Sequence, residues 1–114
     1  MVNTPSPGDS ILMVETGQFA VLWRDIALKF GLNVDFIPGD WRHGVDSEPI
    51  EAKLVADKSH SIKAVAVVHN ETSTGVTSDI AAVRKAMDRT NHPALLLVDV
   101  ISSLGSVDYR QDEW

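Results

Sequence analysis

Apolar positions follow two rhythms along this chain. Unbroken runs recur at Ile11-Leu12-Met13-Val14, at Ile62-Lys63-Ala64-Val65-Ala66-Val67-Val68 and at Pro93-Ala94-Leu95-Leu96-Leu97-Val98-Asp99, with a shorter one at Asn33-Val34-Asp35-Phe36-Ile37. Runs this short, with almost no polar alternation, read as strands buried on both faces of a parallel sheet. Between them the period changes. Phe19, Leu22, Trp23, Ile26, Ala27 and Phe30 recur at i, i+3, i+4 and i+7, one face of an amphipathic helix that Gly31 stops. A second helix starts at a capping Asp46 or Ser47 and turns Ile50, Leu54 and Val55 inward; a third starts at Thr77 or Ser78 and buries Ile80, Val83, Ala86 and Met87.

The order β-α-β-α-β-α-β predicts a three-layer α/β domain, a parallel sheet with helices on both faces. In such sheets ligands bind beyond the carboxyl ends of the strands, which directs attention to Glu15–Gln18, Gly39–Asp46, His69–Ser78 and Asp99–Ser106. Two of these loops are dense in polar groups. His69-Asn70-Glu71-Thr72-Ser73-Thr74-Gly75 carries an imidazole, an amide, a carboxylate and three hydroxyls just before a helix N-terminus, a place that favours anions. The other opens on Asp99, which closes the last apolar run. That carboxylate either meets a ligand or caps the turn after it.

Composition narrows the class. With 114 residues, 44% apolar and 23% charged, the chain has room for one ordinary globular domain. A net charge of -6 argues against nucleic acid or an anionic membrane as partner. No run is long enough for a membrane span, the first residues lack a signal-peptide pattern, and without cysteine the expected address is the reducing cytoplasm. Glu15-Thr16-Gly17-Gln18-Phe19 is not a dinucleotide fingerprint, and there is no P-loop and no nucleophile elbow. His43, His60, His69 and His92 lie on separate loops without ligand spacing, so no metal site is expected. A phosphorelay receiver is disfavoured because no acidic pair follows the first strand.

His69-Asn70-Glu71-Thr72-Ser73-Thr74-Gly75-Val76 and Leu96-Leu97-Val98-Asp99-Val100-Ile101-Ser102-Ser103-Leu104-Gly105 together resemble the class V group of fold type I pyridoxal-phosphate enzymes. Ser6-Pro7-Gly8-Asp9, Glu15-Thr16-Gly17-Gln18-Phe19 and the stretch from Phe36 to Asp46 narrow the resemblance to its glyoxylate aminotransferases, over essentially the whole chain from Ser6 to Trp114.

The resemblance implies a strand order of 2-1-3-4 and a pyridoxal 5'-phosphate cofactor whose pyridine nitrogen pairs with Asp99. It implies Ile101 against one ring face and Thr72 near the phenolic oxygen. His69 reads more readily as a structural imidazole; Trp41, Arg42 and His43 read as loop packing or subunit contact. The implied reaction moves an amino group from serine or alanine to glyoxylate.

Other family parts find no match here. The Schiff-base lysine lies beyond the aspartate strand, whereas Lys29, Lys53, Lys58, Lys63 and Lys85 all precede Asp99. The phosphate loop, the aromatic residue that stacks on the cofactor, and the small C-terminal domain with its carboxylate-binding arginine have no counterpart either. The resemblance thus implies an interior slice of the cofactor-binding domain, residues 1–114 as one partial α/β unit without activity by itself. The Asp99 strand would then lie at a sheet edge and favour self-association. A stand-alone flavodoxin-like module is the alternative.

Overall fold

A computed structural model describes residues 3–114; Met1 and Val2, at the head of the Pro- and Ser-rich leader, lie outside the described residues. The elements are β1 (Ser10–Val14), α1 (Gln18–Lys29), β2 (Asn33–Ile37), α2 (Ser47–Ala56), β3 (Ile62–Val68), β4 (Asn70–Glu71), β5 (Val76–Thr77), α3 (Ile80–Thr90) and β6 (Leu95–Asp99). β1, β2, β3 and β6 form one parallel four-stranded sheet in the order β2-β1-β3-β6, as the resemblance implied.

Alternation along the strands sorts their side chains into two cores. Leu12, Val14, Val65 and Val67 meet Ile50 and Leu54 of α2 and Ile80, Val83 and Met87 of α3 on one face. Ile11, Met13, Ala64 and Ala66 meet Ala27 of α1 and Leu32 on the other, with Trp23 and Leu97 against them. The α3 stripe is buried at all four expected positions. Small alanines on the strands facing α1 let that helix sit close.

The structure revises the α1 face. Ala20 and Ala27 are the buried residues of this helix, while Phe19, Leu22, Ile26 and Phe30 are each more than 40% exposed. The apolar stripe overhangs the sheet instead of lying flat on it.

Of the two predicted helix caps, one stands where expected and one does not. Asp46 caps α2, accepting the Glu48 N–H at 3.0 Å. For α3 the cap is neither Thr77 nor Ser78 but Asp79, which accepts the Ala82 N–H at 2.9 Å. Thr77 is withdrawn into the β4–β5 hairpin, where its hydroxyl donates to Asn70 Oδ1, and the Ser78 N–H is committed to the His69 carbonyl.

Candidate functional site

The carboxyl ends of the four parallel strands share one rim, and the loops leaving them are stitched to one another. The β4–β5 hairpin is the main stitch. Glu71, fully buried, turns back beneath the hairpin and accepts the N–H groups of Phe19 at 3.0 Å and Ala20 at 3.1 Å, while Ser73 donates to it at 2.8 Å. The Ser73 hydroxyl oxygen in turn accepts the Gln18 N–H. A carboxylate 51 residues away in sequence thus does for α1 what a local N-cap does elsewhere. Gly17 is required for this approach: a Cβ there would come within 2.5 Å of Glu71 Cγ.

These contacts revise the anion-site expectation. At α3 the Asp79 carboxylate already takes the Ala82 amide, and at α1 Glu71 takes those of Phe19 and Ala20.

The hairpin reaches across to the loop after β6 as well. Asn70 Nδ2 donates to Ser102 Oγ at 3.0 Å, and the Ser102 hydroxyl donates to the Asn70 carbonyl at 2.9 Å. The two polar loops are therefore fastened together. On the far side, Trp41 Nε1 donates to Glu15 Oε1 at 2.7 Å, with Trp41 held at φ +63°, a left-handed conformation that disfavours a side chain. The Arg42 N–H and the His43 ring hold the Asp40 carboxyl below its ordinary value.

Asp99 ends β6 on the α1 face. One carboxylate oxygen accepts the Ile101 N–H at 3.0 Å, the turn-capping role; the other has no protein partner among the described residues. Asp99 lines a recess of about 460 Å³ together with Phe19, Leu22, Trp23 and Ile26. One carboxylate at the end of an apolar slot suits a flat heteroaromatic ring presenting a protonated nitrogen. The overhanging α1 stripe is the wall of this slot, a role that periodicity alone does not reveal.

The remaining expected residues are placed less tightly. Thr72 is exposed on the hairpin, with no hydrogen bond to its side chain, and Ile101 is 87% exposed. Both stand on the stitched loops, and Ile101 meets Asp99 through its backbone N–H. His69 is buried beneath the rim, its ring 5.7 Å from Tyr109 and 6.3 Å from Trp114, with Nδ1 unpartnered. Burial holds its imidazole below the ordinary value, so it is neutral at pH 7. The polar tail after Gly105, which gave no apolar signal, supplies this aromatic cover. Ser103 is also fully buried with an unpartnered hydroxyl.

The aminotransferase class-V family model matches residues 1–113. The chain belongs to the class V aminotransferases. This class V chain is 51% identical over 114 residues to the L-aspartate-glyoxylate aminotransferase of Paracoccus denitrificans, covering all of the chain and 29% of the relative. It is 49% identical to the serine-glyoxylate aminotransferase of Arabidopsis thaliana, again over all of the chain and 28% of the relative. In three dimensions it matches the ureidoglycine-glyoxylate aminotransferase of Bacillus subtilis with a TM-score of 0.85 at 32% identity, over 97% of this chain and 27% of that one. The chain thus spans less than a third of the length of these relatives. Pyridoxal phosphate is the cofactor of the parent family. No helix among the described residues is long and apolar enough to cross a membrane, and no group of three or more metal-ligating side chains occurs among them.

Proposed function

We propose that residues 1–114 are part of the cofactor-binding domain of a glyoxylate aminotransferase, one that takes an amino group from serine or alanine, in the cytoplasm, and that they do not catalyse the reaction alone. The observation that carries this reading is the Asp99 recess: a carboxylate at a strand end, one oxygen without a protein partner among the described residues, lining an apolar recess with α1. The donor set fits the pyridine end of pyridoxal phosphate. Asp99 would hold the ring nitrogen protonated, with Ile101 against a ring face and Thr72 toward the phenolic oxygen. When bound, the cofactor supplies an electron sink for the substrate's α-carbon. This chain's part is orientation and charge. A ring seated against the apolar α1 residues would displace water from them, which would strengthen the attraction between Asp99 and a cationic ring. Glu71 and Ser102 fix the two loops on which Thr72 and Ile101 stand.

The glyoxylate acceptor is supported by the names of the relatives near 50% identity, which include both aspartate and serine as donors. Self-association through the β6 edge belongs to the same reading, because that edge has no partner strand among the described residues.

Exchange into a complete relative tests it. The serine-glyoxylate aminotransferase of Methylorubrum extorquens aligns with 112 residues of this chain at 54% identity. Replacing the aligned segment with this chain should preserve serine-to-glyoxylate transamination, and Asp99→Asn in the hybrid should lower kcat by about 10²-fold or more. A folded hybrid that binds the cofactor but is inactive, or one indifferent to Asp99→Asn, contradicts the proposal. The 114-residue chain itself, treated with pyridoxal phosphate and borohydride, should yield only scattered surface adducts and no turnover; a single trapped lysine with turnover would refute its inactivity.

A further inference from the structure

Where β3 and β6 end side by side, residues 69–70 and 99–102 close a ring of hydrogen bonds. The His69 N–H donates to the Asp99 carbonyl at 3.0 Å. The next residue, Asn70, is joined to Ser102 twice, its carbonyl accepting the Ser102 hydroxyl at 2.9 Å and its Nδ2 donating to Ser102 Oγ at 3.0 Å. Between them the Ile101 N–H donates to Asp99 Oδ1 at 3.0 Å, and there the ring reaches the carboxylate.

The donors in this ring run one way. The Asn70 carbonyl can only accept, so the Ser102 hydroxyl gives its proton there, and the Asn70 side-chain atom facing Ser102 must be the donating nitrogen. The amide oxygen is left to Thr77, paired with Asn70 across the hairpin, whose hydroxyl donates to it at 3.0 Å. Every group in the chain from Thr77 to Ser102 therefore has one orientation that satisfies it.

The other hydrogen bonds of the turn after β6 are internal to it. Ser103 and Leu104 donate their N–H groups to the Val100 carbonyl, and the Ser106 hydroxyl donates to the Ser102 carbonyl. Among the hydrogen bonds of the described residues, only those between Asn70 and Ser102 tie this turn to the hairpin. Glu71 has a different task, since it is fully buried and fastens the hairpin to α1.

We propose that Asn70 and Ser102 are positioning residues for the cofactor site, holding the turn after β6 so that Asp99 Oδ2 keeps one direction. A carboxylate is planar, so Oδ1 held against the Ile101 amide also sets where Oδ2 points. Without the Ser102 hydroxyl the Asn70 carbonyl and amide each lose a partner, the turn that carries the Ile101 N–H is released, and the carboxylate is free to rotate. The inference deepens the cofactor reading and rests on it.

The test titrates the metal-free, cofactor-free hybrid enzyme with pyridoxal 5'-phosphate and reads the dissociation constant. Ser102→Ala should weaken binding by about tenfold, and Ser102→Thr, which keeps the hydroxyl, should restore most of it. The double variant separates positioning from general support. If Ser102 acts through Asp99, adding Ser102→Ala to Asp99→Asn should change affinity by less than about twofold, whereas an independent structural contribution would add its full effect. Thr77→Val, at an exposed position, removes only the far donor and should weaken binding by about two- to threefold, a reading that stands even where Ser102→Ala does not fold. Hydrogen exchange in the 114-residue chain reads the same device without cofactor: in Ser102→Ala the Ile101 amide should exchange about tenfold faster while the α3 amides keep their rates. Additive losses in the double variant, full affinity in both Ser102→Ala and Thr77→Val, or an Ile101 amide that stays protected would each overturn the inference. Affinity unmoved by Asp99→Asn alone would strike the cofactor reading itself, whereas a large Asp99→Asn effect beside an inert Ser102→Ala would strike the positioning role alone.

Discussion

Glu71 is a buried carboxylate whose oxygens are fully engaged by two backbone amides, the Ser73 hydroxyl and, at 3.4 Å, the Thr16 hydroxyl. Its replacement strands donors that are already out of water. Glu71→Ala should therefore destabilise the fold by about 2–4 kcal/mol, measured by urea unfolding, with the amides at the start of α1 losing exchange protection first. Gly17→Ala acts on the same contact by steric overlap with Glu71 and should cost about 1–3 kcal/mol. His69 contributes through protonation. Because burial depresses its pKa, the unfolded chain takes up a proton near the ordinary value of 6.5 before the folded chain does. Stability attached to neutral His69 is complete above that pH and falls as pH drops below it. Urea midpoints at pH 7.5 and 5.5 should separate less in His69→Phe, which keeps an aromatic ring against Tyr109 and Trp114, than in the parent chain.

Among the elements, the junction below the sheet is held by one residue. Asp57, at the end of α2, accepts the Ile62 N–H at 2.7 Å, the Ser61 hydroxyl at 2.8 Å and the Ser61 N–H at 3.1 Å, and it meets His92 Nε2 at 3.1 Å. His92 Nδ1 accepts the Ala94 N–H, so Nε2 carries the proton toward Asp57. The contact joins α2, β3 and the entry to β6. Burial pushes the Asp57 carboxyl up, but the hydrogen bonds outweigh it and hold the group far below its ordinary value of 3.8. Its stabilisation is therefore present above that value and lost as pH falls below it. Asp57→Asn should lower stability at pH 7 and flatten the acid limb of the stability curve; an unchanged acid limb would contradict this account.

Elements with a local signal were legible in the residues: β3 as an apolar run, α3 as a stripe buried at Ile80, Val83, Ala86 and Met87. The β4–β5 hairpin was not, because two-residue strands leave no periodicity. The exposure of the α1 stripe was hidden for a different reason. Its period shows that one face is apolar but not how far the sheet reaches beneath it.

For the molecule as a whole, strand order and the location of the rim followed from alternating elements and the resemblance. The long-range stitches did not, since Glu71 and α1, or Asn70 and Ser102, are brought together only by the completed sheet. For Asp99 the structure shows the turn-capping reading, through the oxygen that accepts the Ile101 N–H; its second oxygen has no protein partner among the described residues, and the ligand reading is the one proposed above. The account depends on that second oxygen. Its most direct test is the nitrogen-15 resonance of ring-labelled pyridoxal phosphate bound to the hybrid enzyme that carries this chain. The account predicts a protonated pyridine nitrogen across neutral pH that becomes unprotonated in Asp99→Asn; a nitrogen whose protonation is the same with and without the Asp99 carboxylate would contradict it.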